Sequence, residues 1–271
     1  MRLGIIQGRL LNPETNHIQS FPNKYWKKEF KIAASNNINL IEWIVDRKNI
    51  FKNPINTNKG RAQIKYLKRK YKIEIDSLTA EFYMQKPFTR EKNNTENEFK
   101  ILKRTLSNSG KINVKYFIIP ILESASLKKE DEELFLKKMK LIINILKKNK
   151  QIILFETDID ILRIVNLLTK LPKKYFGINF DTGNSINIGY SFKDIQILIK
   201  HTHNIHLKDK NDKFLSVKLG SGLFNFRKFF NLLKKEKYNK NLILQTARTT
   251  SDHVNDIKKN KKFVEKFIKI N

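Results

Sequence analysis

At 271 residues with 40% hydrophobic content, the chain can bury one large core, and its length suits a single α/β barrel spanning 1–271. It has no cysteine, which excludes disulfides, thiolate zinc sites and cysteine nucleophiles; neither a signal peptide nor an apolar run of about eighteen residues is visible, so a cytoplasmic protein without membrane contact is expected. The net charge is +29 with a pI near 10.0, but only ten of the 55 basic residues are arginine, and the lysines form scattered runs (KKMK, KKNK, KKEK, KKNKK) that read as solvated helix faces rather than a specific nucleic-acid patch.

Taken in chain order, short apolar runs alternate with amphipathic segments. The strand at 2–7 (RLGIIQ) precedes a helix at 24–36, and 39–44 (NLIEWI) precedes 58–71. The run 73–80 is followed by 95–109, and 114–120 by 128–149, where Leu134, Phe135, Met139, Leu141, Ile142 and Ile145 recur near helical spacing among lysines. Strands at 151–156, 175–181, 203–208 and 241–246 are followed by helices at 159–171, 192–201, 224–237 and 252–269. Eight strands, each followed by a helix at intervals of about thirty residues, predict a (β/α)₈ TIM barrel. Long excursions after the strands, at 8–22, 46–60, 82–95 and 209–222, predict a covered pocket at the C-terminal mouth.

Four of the apolar runs stop on a metal-capable side chain: Glu156, Asp181, His206 and Gln245. If the strands close into one barrel, two carboxylates, an imidazole and an amide oxygen converge on one point, a donor set that suits a divalent cation. Asp158 or Thr157 is expected to cap the next helix and leave Glu156 free of that duty. Around this centre, Gln7, Arg9, Glu42, Trp43, Glu81 and Glu123 end or follow strands one to four, where they would bind hydroxyls, with Trp43 stacking on a sugar face. Lys208, Lys210 and Arg248 could meet a phosphate; Gly220-Ser221-Gly222 reads either as a phosphate rest before a helix or as a tight turn. His253 either reaches the mouth or faces solvent.

The succession GIIQGRL, FP with W and EF, LIEWI, FETD, FDTGNS, IHLKD, G-S-G before a helix, and ILQTAR resembles the xylose isomerase-like (AP endonuclease family 2) barrels, a family of sugar phosphate isomerases and epimerases. The resemblance covers nearly the whole chain. It implies a bound Mn²⁺, Mg²⁺, Co²⁺ or Zn²⁺ on Glu156, Asp181, His206 and Gln245, and proton transfer next to a carbonyl of a small sugar or sugar phosphate polarised by that cation. It also implies a catalytic pair at Glu156 and Gln245. Here the chain departs from its relatives, in which both positions are glutamate, because Gln245 has no titratable carboxylate. Glu81, Glu123 or Asp209 would then be the second proton carrier. Asn184, a further expected substrate contact, stands where relatives often carry a histidine three residues after the strand-six aspartate. Endonuclease IV shares the fold and makes DNA cleavage an alternative, although its three-metal cluster is rich in histidine and only five are present. A sugar-binding barrel without catalysis is the third reading. Assembly as a homo-oligomer is left open.

Overall fold

A computed structural model describes residues 1–14, 19–90, 93–247 and 251–268. Eight parallel strands close into a barrel: β1 (Arg2–Ile6), β2 (Ile41–Ile44), β3 (Ser77–Thr79), β4 (Tyr116–Ile121), β5 (Ile152–Thr157), β6 (Phe176–Asp181), β7 (Thr202–Leu207) and β8 (Asn241–Leu244). Each strand pairs with the next in sequence, and β8 closes on β1 with Arg2 opposite Asn241 and Ile5 opposite Leu244. The principal helices are α1 (Trp26–Ser35), α2 (Asn58–Tyr71), α3 (Thr95–Gly110), α4 (Glu132–Leu141, resuming as Ile143–Asn149), α5 (Ile161–Thr169), α6 (Phe192–Ile199), α7 (Phe226–Lys235) and α8 (His253–Ile268). The chain is therefore the (β/α)₈ barrel that the alternation predicts. No described helix is long and apolar enough to cross a membrane.

Helix starts follow local chemistry. Thr57, Asn94, Asp160 and Asn225 accept backbone N–H groups at the starts of α2, α3, α5 and α7, and Ser191 with Asp194 forms a capping box on α6. The cap of α5 is thus Asp160 rather than Asp158 or Thr157. Asp158 instead ties down the loop after β4, accepting from Glu123 N at 2.7 Å and Ser126 Oγ at 2.6 Å.

Most of the core lies between the barrel and its helices, where outward strand residues such as Ile5, Trp43, Phe117 and Phe155 meet the helix faces. The barrel interior holds two smaller apolar clusters, Ile6, Leu40, Ile44 and Ile243 in one, Tyr116, Ile118 and Leu154 in the other. A chain of polar side chains also crosses the interior. Glu42 on β2 accepts from Ser77 Oγ (2.6 Å) and Thr79 Oγ1 (2.8 Å) on β3 and from Asn204 Nδ2 (2.9 Å) on β7. Asn204 donates in turn to Asn179 Oδ1 on β6 at 2.8 Å. Alternation along each strand sets this pattern, because Asn179 and Asp181, like Asn204 and His206, lie two residues apart and share the inner face.

Candidate metal and substrate site

Strands β5, β6 and β7 bring Glu156, Asp181 and His206 together at the C-terminal mouth, each buried, with one ligand atom from each within 4.8 Å of the others. Asp181 and His206 are register partners on adjacent strands. His206 Nδ1 lies 3.2 Å from Glu156 Oε2 and 3.9 Å from Asp181 Oδ2, while its Nε2 meets Glu42 Oε1 at 2.7 Å. The glutamate therefore holds one ring nitrogen and turns the other toward the carboxylates. Asn184 Nδ2 donates to Glu156 Oε1 and Asn179 Nδ2 to Oε2, both at 2.9 Å, so the Glu156 carboxylate is oriented from two sides.

Asp181 divides its two oxygens between two tasks. Oδ1 accepts from Gly183 N (2.7 Å) and Asn184 N (2.9 Å), capping a short helix at Thr182–Ile188. Oδ2 is buried without a hydrogen-bond partner, and so is Gln245 Oε1, whose amide nitrogen donates to Gln19 Oε1 at 2.8 Å. Leaving a buried acceptor unmade costs about 1–3 kcal/mol. Two such oxygens, a directed imidazole nitrogen and the Glu156 carboxylate make a donor set of the kind that holds a divalent cation.

The charges respond to this crowding. Burial pushes the Asp181 carboxyl up, and Glu156 adds to the rise, while Lys208 and His206 oppose it. Burial alone would lower the His206 imidazolium, but the carboxylates of Glu42 and Glu156 outweigh it and hold the ring well above its ordinary value. For Glu42, burial raises and the cationic ring lowers; together with the hydrogen bonds from His206, Ser77 and Thr79 the balance falls below the usual carboxylate range. A cation at His206 Nδ1 would displace that nitrogen's proton, so its binding would compete with protons.

A cavity of about 410 Å³ opens over this centre, lined among others by Glu81, Pro120, Leu122, Glu123, Glu156, Asn184, Lys208 and Gln245. Of the expected contact residues, Glu81, Glu123 and Asn184 lie on its wall. Several others do not, and the reasons are physical. Glu42 is fully buried with four partners in the barrel interior, so it positions His206 and has no face for a substrate. Trp43 points to the opposite side of β2, packs against Phe21 and Trp26 in tilted and edge-on contacts with ring centroids at 5.3 and 5.6 Å, and donates from Nε1 to Asn53 Oδ1; it belongs to the outer core and does not face a sugar. Gln7 is buried, with Oε1 accepting from Ile44 N, and Arg9 sits behind the wall, donating from Nε to Thr246 O and reaching Gln19 at 3.5 Å. His253 borders a small cleft beside Arg9 instead of the mouth cavity.

Asp209 is another correction. Its carboxylate accepts from the backbone N–H groups of Lys210, Gly220, Gly222 and Phe224, at 2.9, 2.9, 2.9 and 3.2 Å, and is completely buried. The acid fills the backbone concavity that a phosphate would need, so the G-S-G segment is a turn closed from within. A Cβ at Gly222 would stand 2.4 Å from Asp209 Oδ1, which explains the glycine. Lys210 is buried and off the cavity wall, where Lys208 stands in its place. Arg248 lies outside the described residues.

The strand-end pattern did not reveal Asn179, Asn204, Ser77 and Thr79. Their signal was present as polar residues two before Asp181 and His206, and as a Ser/Thr pair two apart in a short strand, all facing inward by alternation.

The family model of the xylose isomerase-like TIM barrel matches residues 30–267. The chain belongs to that family. No curated protein matches it in sequence. Among solved structures, it resembles a xylose isomerase domain protein from Planctomyces limnophilus (TM-score 0.78, 10% identity, covering 98% of this chain and 96% of that one). It also resembles D-allulose 3-epimerase from Methylomonas sp. (TM-score 0.75, 13% identity, covering 98% of both chains). A third similar structure is the IolI protein with a bound zinc atom (TM-score 0.77, 14% identity, covering 98% and 99%). At such identities the likeness is one of fold.

Proposed function

We propose that this xylose isomerase-like barrel is a divalent-metal-dependent isomerase or epimerase of a small sugar. The observation that carries the reading is the Glu156–Asp181–His206 cluster, with the partnerless oxygens of Asp181 and Gln245, at the mouth of a barrel whose family model covers nearly all of the chain. Similar folds are a D-allulose 3-epimerase and a zinc-containing IolI protein, which supports both the reaction class and the cation. Glu156, Asp181, His206 and Gln245 would hold the metal, which when bound polarises a carbonyl and lowers the cost of negative charge beside it.

The chain's own residues do the rest. Glu156, aligned by Asn179 and Asn184, removes a proton from the carbon next to the carbonyl, and the electron pair delocalises into that carbonyl. Lys208 supplies positive charge on the same wall, Asn184 offers an amide to a hydroxyl, and Pro120 and Leu122 give an apolar surface against which a ring or chain can lie. Glu42 fixes the His206 ring. Glu42→Gln is expected to lower Mn²⁺ affinity about 10–100-fold in a competition titration, with the fold unchanged by circular dichroism, as for other partners of ligating histidines. An affinity equal to that of the wild type would remove Glu42 from the site.

The wall favours a neutral sugar over its phosphate. Lys208 is the single cation among the described residues of the cavity wall, and Asp209 already occupies the G-S-G concavity that a phosphate would need. A single lysine on the described wall gives a nucleic-acid phosphate backbone no basic track at the mouth, so affinity for duplex DNA should stay in the non-specific range of about 10⁻⁴–10⁻⁶ M at physiological salt. A fluorescence titration showing much tighter, steeply salt-dependent binding would reopen the nuclease reading.

The deciding experiment for the function incubates the Mn²⁺-loaded protein with D-allulose, D-tagatose and their phosphates in D₂O, following deuterium uptake and product by NMR. Exchange at the carbon next to the carbonyl is expected. Tight sugar binding with no exchange would instead identify a sugar-binding barrel, the reading that the loss of a second glutamate at Gln245 favours.

A further inference from the structure

Gln245 leaves the site one proton carrier short. Epimerisation at a single carbon needs a proton taken from one side and another delivered from elsewhere, and an amide does neither. Other deeply placed acids of the molecule have structural duties that occupy them. Glu42 is saturated inside the barrel, and Asp209 by four backbone N–H groups. Glu29 accepts from Gly8 N and Leu10 N, and Asp46 from Phe21 N. Glu123 is exposed at the rim.

Glu81 differs from all of these. It follows β3 by two residues, at the entrance to a short helix (Phe82–Gln85), and lines the mouth cavity together with Glu156, Asn184 and Gln245. Among the described residues its carboxyl group makes no hydrogen bond and no ion pair, although it is only partly accessible. No side-chain partner ties this carboxyl into the fold, so it is free to act on whatever occupies the cavity. Pro120 and Leu122, from the β4 side, lie on the wall between the β3 and β5 sides and contribute no titrating group.

The geometry points to Glu81 as the second proton carrier of the site, a carboxylic acid on the β3 side that delivers a proton to the substrate while Glu156, on the β5 side, removes one. This rests on the isomerase or epimerase reading. The step balances: the substrate C–H bond breaks and its proton joins Glu156, the electron pair moves into the carbonyl, and the Glu81 O–H bond breaks as its proton goes to the same carbon. Glu156 ends as acid and Glu81 as carboxylate, and exchange through solvent resets both. The charge state agrees. Burial, then repulsion from Glu156, Glu123 and Asp46, raise the Glu81 carboxyl to about 8 against the opposing pull of Lys208, so it carries its proton at neutral pH. A cation on Glu156 would relieve that carboxylate's share of the repulsion and leave burial, the largest cause.

Two measurements test the proposal separately from the reaction class. With Mn²⁺ and D-allulose in D₂O, Glu81→Gln should keep deuterium exchange at the carbon that Glu156 deprotonates but lose about 10²–10⁴-fold in epimerised product, with partial recovery in Glu81→Asp. Product formation by Glu81→Gln within two-fold of the wild type would overturn the assignment; lack of exchange in the wild type would instead overturn the isomerase reading. The second measurement needs no substrate. An acid whose folded pKa lies above its unfolded one loses its stabilising contribution as pH rises between the two values. The melting midpoint of Glu81→Gln should therefore gain on that of the wild type from about pH 4.5 to about 8 and run parallel above. A difference that does not vary with pH would mean that Glu81 is ionised in the folded chain and cannot deliver the proton.

Discussion

Asp181→Ala should lose the bound divalent cation together with all metal-dependent stabilisation. Asp181 Oδ2 is the buried carboxylate oxygen left without a partner beside His206 and Glu156, so its removal deletes a charged donor from the centre of the set. A metal that binds only the folded chain stabilises it by about 2.7 kcal/mol at a hundredfold excess over its dissociation constant, or roughly 5–10 °C in melting midpoint for a chain of this size. That increment should vanish in scans with and without Mn²⁺. The variant also strips the cap from the helix at Thr182–Ile188, which by itself costs about 1 kcal/mol. Asp181→Asn separates the two effects, since its amide oxygen can still accept from Gly183 N and Asn184 N while the charge is gone. Both variants should lose the metal increment, and only the alanine should lose the cap. Full metal stoichiometry in Asp181→Ala, read by elemental analysis after gel filtration, would remove this residue from the ligand set.

Glu156→Gln should abolish exchange of the substrate C–H proton with solvent, a loss of at least about 10²–10⁴-fold. The substitution keeps the shape of the side chain and removes the only carboxylate that the ligand set can offer as a base, because Asp181 is capping a helix and Gln245 is neutral. It also leaves Asn179 Nδ2 or Asn184 Nδ2 facing an amide nitrogen, so a fall in stability of about 1 kcal/mol should accompany the loss. Gln245→Glu provides the opposite test. It restores a titratable group at the end of β8 and adds negative charge at the cation, so metal should be retained and epimerisation should rise. Turnover by Glu156→Gln at the wild-type rate would move the proton chemistry away from β5 altogether.

The alternation of short apolar runs with amphipathic segments was enough to determine the eight-stranded barrel, and the residues at the ends of β5, β6, β7 and β8 were enough to suggest where its chemistry sits. Both are local properties. A strand buried on two faces must be a continuous apolar run, and a polar residue where such a run stops lies at the mouth once the barrel closes. Even the inner face was partly readable, since Glu42 and Trp43 are neighbours in one strand and only one of them can point inward. What a polar side chain does after it arrives was decided only by the tertiary structure, because hydrogen bonds join residues far apart in the chain. Glu42 is satisfied by Ser77, Thr79, Asn204 and His206, and so holds the His206 ring inside the barrel instead of facing the cavity. Asp209 closes on Gly220 and Gly222, eleven and thirteen residues away, and so fills the concavity that was a candidate phosphate rest. Among the described residues Glu81 finds no such partner, and this absence, invisible in a string of residues, is what sets it apart from the buried acids. Burial prices every charged group by its surroundings, and those surroundings exist only when the barrel is closed.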